Sequence, residues 1–408
     1  MAQNVKKFVN RDFARTVDLD LLARLIEPHK AAIGFDWQSL PADEKERREA
    51  IFEFFKGTDE RFPPELLDAL HKIMLLSNEN GARLLYEQAE LAGVTIVSVD
   101  EAEAAPVTTR HLVLRAYLDQ REVFDLTLDR FAFWKARSPT EFSGTSQGVE
   151  SRHDDVAARE AFRAAAAAYF AGRYLGRYCD VRWYPEDDEV CILVLHGKNA
   201  MTANVEDNGA ERTLTYREIA QDTIRYHSAS GRVWISATTA GERKRLAELF
   251  AEHLLGDPEF FAGADADRIY TLDPIRERGS EFRFNHAWDP DINSIIIKEI
   301  QVDEGEHKVN GRMRFSPWAI TVRDSQDAVW RLLDMAPDID LRDLRINYVK
   351  IEFRIESGGR EHKIVVTVKP PNVASFRNHA FERKILEHLE RHGIRLAGQP
   401  VPVAAAAE

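Results

Sequence analysis

Four adjacent acidic residues are the first candidates for chemistry. Glu186-Asp-Asp-Glu189 precedes the apolar segment Val190–Leu195, which has the composition of a buried strand, and His196-Gly-Lys198 follows it. Carboxylates before a strand can hold Mg²⁺, and a lysine after it can steady a water molecule or a phosphate, as in metal-dependent phosphodiesterases. Asp187 and Asp188 are therefore catalytic candidates. A solvated hairpin turn is the alternative, because the second carboxylate usual on such a strand is missing.

A second set of candidates lies further along the chain. Asp340 ends the segment Pro337-Asp-Ile-Asp340, and Glu361-His-Lys363 follows a Ser357-Gly-Gly359 turn. The Glu-x-Lys element resembles half of the restriction-type nuclease core, in which an aspartate and a glutamate bind metal and a lysine polarises water. It departs from that pattern, because Glu361 is predicted to precede its strand rather than lie within it. Asp340, Glu361 and Lys363 complete the catalytic candidates of a metal-dependent enzyme.

Two histidines are the remaining candidate metal ligands. His388 and His392 would project from one face of a helix, with His379 as the nearest third ligand. Histidines in the last turn of a helix also interact favourably with the helix dipole, which is the structural alternative. We predict no metal site and no cofactor, with Mg²⁺ required only if the chain is a metal-dependent enzyme.

Familiar catalytic motifs are missing from the sequence. It contains no G-x-x-x-x-G-K-[ST], no G-x-G-x-x-G, no G-x-S-x-G and no H-E-x-x-H. The commonest nucleotide-hydrolysing, dinucleotide-binding, hydrolase and metalloprotease classes therefore lose their main support. The sequence leaves open whether the chain is an enzyme.

One region, between Leu341 and Leu396, departs from the charge of the rest. It has twelve basic and seven acidic residues, a net charge of +5, whereas the whole chain has −13 and the remainder therefore −18. Alternation of apolar and polar residues predicts a two-stranded ribbon with one buried and one basic face, followed by a helix. Such a face can contact the phosphates of nucleic acid, whereas the alternative is an ordinary solvated ribbon. The candidate nucleic-acid contacts are Lys350, Arg354, Lys363, Lys369, Arg377, Arg383 and Lys384.

Apolar spacing predicts an α+β protein with a helical N-terminal region. Helices are predicted over 18–27, 42–55, 64–76 and 82–91, and a short strand over 94–99. The segment 110–136 is ambiguous between strand and helix, and its length without glycine or proline favours helix. The predicted domains are a helical domain over 1–137, a linker over 138–155, an α+β domain over 156–340 that starts with a long alanine-rich helix, a basic β-hairpin and helix over 341–396, and a disordered tail over 397–408.

The β-rich half contains a recurring order of elements. The stretches 222–255, 294–335 and 348–392 each predict strand, turn, strand and helix (ββα). Because their side chains do not match, either related units or a coincidence of topology explains the order.

Composition limits the class of protein. With 44% hydrophobic and 30% charged residues, the chain has the composition of a globular protein. It has no apolar run of the ~20 residues that a membrane helix needs, and no signal peptide is predicted at its start. Only Cys179 and Cys191 are present, which excludes a disulfide framework and favours a reducing cytoplasm.

These observations predict a non-enzymatic adaptor or sensor subunit of a cytoplasmic multi-protein assembly. Its expected partners are other proteins, with nucleic acid contacted through residues 341–396 and no membrane contact. An accessory component of a bacterial antiviral defence or DNA-processing system would fit this description. A metal-dependent nuclease or phosphodiesterase is the alternative.

Overall fold

The computed structural model describes residues 15–56, 62–97, 107–135, 138–186, 189–207, 209–263, 265–309, 312–375 and 381–396. Contacts divide the chain into two compact units. The first comprises Met1–Phe133 with Asn204–Thr213, and the second comprises Trp134–Ala203 with Leu214–Glu408.

The N-terminal region is helical, as predicted. Asp18 caps the helix Leu19–Ile26 by accepting a hydrogen bond from the backbone N–H of Leu21 (2.9 Å), and Asn78 caps the helix Glu79–Leu91 in the same way. The helices are α1 (Leu19–Ile26), α2 (Lys30–Ile33), α3 (Glu44–Lys56), α4 (Pro64–Leu76), α5 (Glu79–Leu91), α6 (Thr109–Asp119) and α7 (Arg121–Lys135).

Two predictions for this region need comment. The ambiguous segment is helical as far as Lys135, but Gln120 leaves helical geometry and divides it into α6 and α7. The predicted strand over 94–99 is wrong as far as Val97, because this segment makes no strand pairing after Gly93 ends α5 with a positive φ. Residues 98 and 99 lie outside the described residues.

The second unit is built on one large antiparallel sheet. Within the described residues it has ten strands in the order β11-β8-β12-β13-β14-β1-β7-β6-β3-β2, and β4–β5 and β9–β10 form separate two-stranded hairpins. The strands are β1 (Thr140–Ser143), β2 (Cys179–Glu186), β3 (Glu189–Gly197), β4 (Met201–Asp207), β5 (Ala210–Tyr216), β6 (Ile219–His227), β7 (Arg232–Ser236), β8 (Ile292–Asp303), β9 (Glu306–Val309), β10 (Arg312–Phe315), β11 (Ile320–Arg323), β12 (Arg345–Ser357), β13 (Arg360–Lys369) and β14 (Val373–Ala374).

Helices cover the two halves of this sheet from opposite faces. The helices are α8 (Val156–Gly172), α9 (Ala240–Phe250), α10 (Asp273–Arg278), α11 (Ala328–Met335) and α12 (Glu382–Arg391). One core joins α8 and α9 to β2, β3, β6 and β7, and the other joins α10, α11 and α12 to β8, β12 and β13.

Strand register shows that these cores lie on different faces. Residues opposed in antiparallel strands point to the same face. Lys369 is opposite Val373, Val373 is opposite Thr140, and Thr140 is opposite Ile235, whose side chain belongs to the α8–α9 core. The polar face of β13 is therefore on the α8–α9 side, whereas its apolar residues face α12.

The two half-sheets meet along a narrow seam. Strand β14 has two residues, and β1 pairs with it at Thr140 and Val373 and through a backbone hydrogen bond from Glu141 to Asn372 (2.9 Å). Glu141 itself is 1% exposed. Its carboxylate accepts hydrogen bonds from three residues that are distant in sequence: Arg232 (2.9 Å), Arg395 (2.9 Å) and the Tyr270 hydroxyl (2.7 Å).

The sheet crosses the boundaries that the sequence predicts. The segment 138–155, predicted as a linker, contributes β1 to the middle of the sheet, because Thr140, Glu141 and Phe142 are buried there. The regions 156–340 and 341–396 share the same sheet through the pairing of β8 with β12. The α+β class is confirmed. The first stretch has the predicted order β6, β7 and α9, but the second contains β8, β9, β10 and β11 before α11, and α9 and α11 lie on opposite faces, so repeated units are not shown.

The described residues contain no helix that combines the length and the apolar character needed to span a membrane.

We predict that Glu141→Gln destabilises the second unit by about 3–5 kcal/mol, since two buried guanidinium groups would lose their shared carboxylate. Urea denaturation followed by the fluorescence of Trp234, which lies on β7 near Arg232, measures the change. Asp334→Asn is the control, because its ion pair with Arg331 is 45% exposed on both sides and its loss should cost about 0.5 kcal/mol or less. Equal midpoints for Glu141→Gln and the native chain would contradict the prediction.

Candidate nucleic-acid interface

The predicted basic ribbon is the hairpin of β12 and β13. Apolar side chains of β12 are buried at alternate positions, and Lys350 and Arg354 lie between them on the opposite face. Arg354 is directly opposite Lys363, and Lys369 ends β13 on the same face. The structure therefore brings four of the predicted contacts onto one exposed surface.

A two-residue turn fixes the register of this hairpin. Gly358 and Gly359 both have positive φ (60° and 72°), which two-residue hairpin turns require and which glycine adopts without steric cost. Strand β13 therefore starts at Arg360, directly after the turn. The expectation that Glu361 precedes its strand is wrong, since Glu361 pairs with Glu356 inside the ladder.

Strands β8 and β11 extend the same surface. Glu299 on β8 lies between Lys350 on β12 and Arg323 on β11, and all three side chains point to the α8–α9 side of the sheet. We refer to the surface formed by this side of β8, β11, β12 and β13 as the cationic face. Sequence analysis missed Arg323, because no local signal shows that β11 and β8 lie beside β12.

Hydrogen bonds keep Glu299 ionised below its cationic neighbours. It accepts from the Tyr348 hydroxyl (2.7 Å), from Lys350 Nζ (2.9 Å) and from Arg323 Nε. Burial opposes the charged form, but these three donors outweigh it and lower the pKa of Glu299 below its ordinary value. The carboxylate therefore remains charged and holds the two cations in place.

The cations of this surface lie nearer to solvent than the carboxylates that pair with them. The side chain of Arg323 is 75% exposed and that of Lys350 35%, whereas the side chain of Glu299 is 6% exposed. Arg354 is 33% exposed beside Glu352 at 12%. At these ion pairs an approaching ligand therefore meets the cation first, whereas the carboxylates of Glu356 and Glu361 are exposed on the same face near the hairpin turn.

Two lysines on this surface are not neutralised. Lys363 and Lys369 are exposed and form no ion pair with any residue in the described part of the chain. Between β11 and β13 lies a shallow depression of about 360 Å³, where three cations (Lys298, Arg323 and Lys350) and two carboxylates (Glu299 and Asp324) surround the half-exposed side chain of Val365. The cationic face therefore has several positive groups around the apolar side chain of Val365.

The remaining predicted contacts lie elsewhere. Helix α12 packs its Ile385 and Leu389 against the other face of the sheet, so Arg383 and Lys384 are not part of the cationic face. Lys384 is paired with Asp289 (2.7 Å) and Asp291 (2.9 Å). Arg377 lies outside the described residues.

The structure does not assemble the catalytic candidates into one site. Asp187 and Asp188 lie outside the described residues. Asp340 caps a short 3₁₀ turn that precedes β12, whereas Glu361 is bound by Asn293 near the far end of β12. At about 3.3 Å per residue the two ends of β12 are roughly 35 Å apart, so Asp340 cannot share a metal ion with Glu361 and Lys363.

The two candidate histidines are engaged in protein contacts. His392 accepts a hydrogen bond from the backbone N–H of Asn285 (2.7 Å) and donates one to the carbonyl of His388 (2.7 Å). His388 donates through Nε2 to Asp289 (3.2 Å). Within the described residues, no group of three or more histidine, cysteine or acidic side chains could hold a metal ion.

A buried histidine–aspartate pair is a further feature that sequence analysis missed. His196 Nε2 lies 2.9 Å from Asp222, its Nδ1 donates to the carbonyl of Gly197 (2.8 Å), and its ring stacks on Phe170. Both side chains are only 2% exposed. The pair is therefore sealed from any substrate and contributes to the α8–α9 core.

No known protein-family model matches this chain, and no curated protein matches it. The case for the cationic face therefore rests on its geometry and charge.

We predict that the pKa of His388 lies below the ordinary value of a histidine, about 6.5. Burial lowers its pKa, and protonation would place a proton on Nδ1, which is buried with no hydrogen-bond partner in the described part of the chain. The unfolded state then takes up the proton first, so the free energy of unfolding decreases as the pH falls below about 6.5. NMR titration of the imidazole, assigned with His388→Gln, measures the midpoint, and a value above about 6.5 would refute the prediction.

Proposed function

We propose that this chain is a non-enzymatic nucleic-acid-binding subunit of a larger protein assembly and contacts phosphate groups through its cationic face. One observation carries the proposal: on this uncovered sheet surface the cations face solvent while the paired carboxylates Glu299 and Glu352 lie beneath them. Charge counting alone would have given a nearly balanced surface. The greater exposure of these cations, compared with their paired carboxylates, decides which charge of each pair a ligand meets.

The spacing of the cations suits a phosphate backbone. Cross-strand neighbours such as Arg354 and Lys363 have Cβ atoms about 5 Å apart, and Lys363 and Lys369 are six residues or about 20 Å apart along β13. At 3.4 Å per nucleotide, this length corresponds to about six steps along one strand of a duplex. The surface can therefore contact several phosphates of one ligand.

The same surface offers little for reading base sequence. Its aromatic side chain, Tyr348, is already committed to Glu299 through its hydroxyl. Phosphate contacts position a protein on nucleic acid without carrying sequence information. We therefore expect affinity that depends strongly on salt and weakly on sequence.

Long-range electrostatics also favours contact of a duplex with the cationic face. The residues outside 341–396 have a net charge of −18, which repels a polyanion. A duplex is thus directed towards the cationic face, and most of the acidic surface stays available to protein partners.

We predict that Lys363→Gln/Lys369→Gln weakens binding to a duplex of about 20 base pairs and lowers the slope of log K against log salt by up to about 2, or about 0.9 for each lost phosphate contact. Fluorescence anisotropy with the full-length chain, starting at about 50 mM salt, measures both quantities. The whole chain is required because β12 is paired with β8 from outside the basic region.

Lys45→Gln/Arg383→Gln is the matched control. It removes the same charge from two exposed residues that are not part of the cationic face and should leave the salt slope nearly unchanged. Equal loss of affinity in both double variants would show a non-specific effect of net charge. Absence of binding by the native chain at low salt would exclude the proposed function.

A further inference from the structure

A short loop between α8 and β2 presents two arginine–tyrosine pairs to solvent. Its sequence is Arg173-Tyr174-Leu175-Gly176-Arg177-Tyr178. Tyr174 is 84% exposed and Tyr178 51%. Exposed aromatic rings with adjacent cations are unusual on a surface that contacts only water, since tyrosine buries much of its ring in most settings.

The loop holds Tyr174 in a strained conformation. Its φ is +62°, and Tyr174 is the one residue other than glycine with a positive φ in the described part of the chain. The left-handed region crowds a side chain against its own backbone, so a bulky residue stays there only when its surroundings impose it. Such strain is a reason to look for a function at this position.

Contacts between the loop and neighbouring residues impose this conformation on Tyr174. Arg217 donates through Nη1 to the carbonyls of Tyr174 (2.7 Å) and Lys198 (2.8 Å), which ties the loop to the turn after β3. Gly197 permits the close approach, because a Cβ there would lie 2.3 Å from the carbonyl oxygen of Leu175. The buried side chain of Leu175 anchors the loop from the other side. The two tyrosine rings are thus presented by a fixed backbone.

Neither arginine of the loop has an acidic partner among the described residues. Arg177 is exposed and forms no ion pair with a described residue. Arg173 is also exposed, and its guanidinium carbon lies 5.6 Å from the centre of the Tyr169 ring. Both guanidinium groups are therefore available to an anion beside an exposed ring.

We propose that this loop binds single-stranded nucleic acid, with unpaired bases stacked on Tyr174 and Tyr178 and phosphates bound by Arg173 and Arg177. Every base has a flat face that stacks on an aromatic ring, and every nucleotide also carries a phosphate. A protein partner that covered the two rings would have to take the neighbouring arginines out of water without supplying that phosphate. The site is separate from the cationic face and does not require it.

The test measures binding of the full-length chain to fluorescent oligothymidylate of about 20 nucleotides and to a duplex of the same length. The variant is Tyr174→Gly/Tyr178→Ala. Glycine is favoured at a φ of +62°, so the first substitution relieves backbone strain and the fold is retained. We expect at least about tenfold weaker binding to the single strand and unchanged binding to the duplex, because bases in a duplex are already stacked.

Two comparisons make the result specific. Tyr86→Ala, which removes a tyrosine that is 53% exposed on α5, should leave binding unchanged. A single strand without bases but of the same charge should bind the native chain more weakly than oligothymidylate. The proposal is overturned if the native chain binds the strand without bases as tightly as oligothymidylate. It is also overturned if Tyr174→Gly/Tyr178→Ala does not change single-strand binding. A tyrosine-dependent self-association without single-strand binding also overturns it, in favour of a second copy as the occupant.

This proposal and the proposed function can fail separately. Lys363→Gln/Lys369→Gln should weaken binding to both the duplex and the single strand, whereas the tyrosine variant should affect the single strand alone. If Lys363→Gln/Lys369→Gln does not weaken binding, the cationic face is not a binding surface. If the tyrosine variant does not weaken single-strand binding, the loop is not a binding site.

Discussion

The buried carboxylate of Glu141 is the interaction on which the second unit depends. Two half-sheets, each with its own helical layer, are joined where β14 offers only two residues to the hydrogen-bond ladder. Glu141 compensates for this by accepting from Arg232 on β7 and from Arg395 after α12. A charge taken out of water is costly unless it is paired, so the geometry of all three side chains must be satisfied together. One buried ion network therefore joins the two halves of the sheet.

Placing the two helical layers on opposite faces creates the cationic face. Helices α8 and α9 cover one side of β2, β3, β6 and β7, and α10 to α12 cover the other side of β8, β12 and β13. The uncovered side of the latter strands must be polar, and lysine and arginine alternate there with the buried core residues. Hydrogen bonds hold the Glu299 carboxylate close to the sheet, beneath the side chains of Arg323 and Lys350. The positive charge of these two side chains is therefore the more exposed. The placement of the two helical layers thus accounts for both the exposure and the charge of the cationic face.

Local signals in the sequence predicted much of this structure, and contacts between distant segments account for the rest. The helix over 64–76, the long alanine-rich helix that is α8 and the alternation in β12 and β13 each depend on near neighbours, and the structure agrees with them. Strand β1 was hidden because its central residue is a glutamate, whose partners Arg232 and Arg395 are 91 and 254 positions away. Half of the cationic face was predictable from the same alternation. Arg323 was not, since only the order of strands in the sheet places it beside Glu299 and Lys350.

The narrowness of β14 also determines how the sheet can deform. A sheet resists bending across its strands through its ladder hydrogen bonds, and β3 and β6 are paired over nine residues each, whereas β1 and β14 are paired at Thr140 and Val373. The easiest line of flexure therefore runs along β14. Every strand of the cationic face lies on one side of this line, and the loop with Tyr174 lies on the other. The angle between the two parts of the sheet is therefore constrained least by ladder hydrogen bonds and depends on the side chains around Glu141.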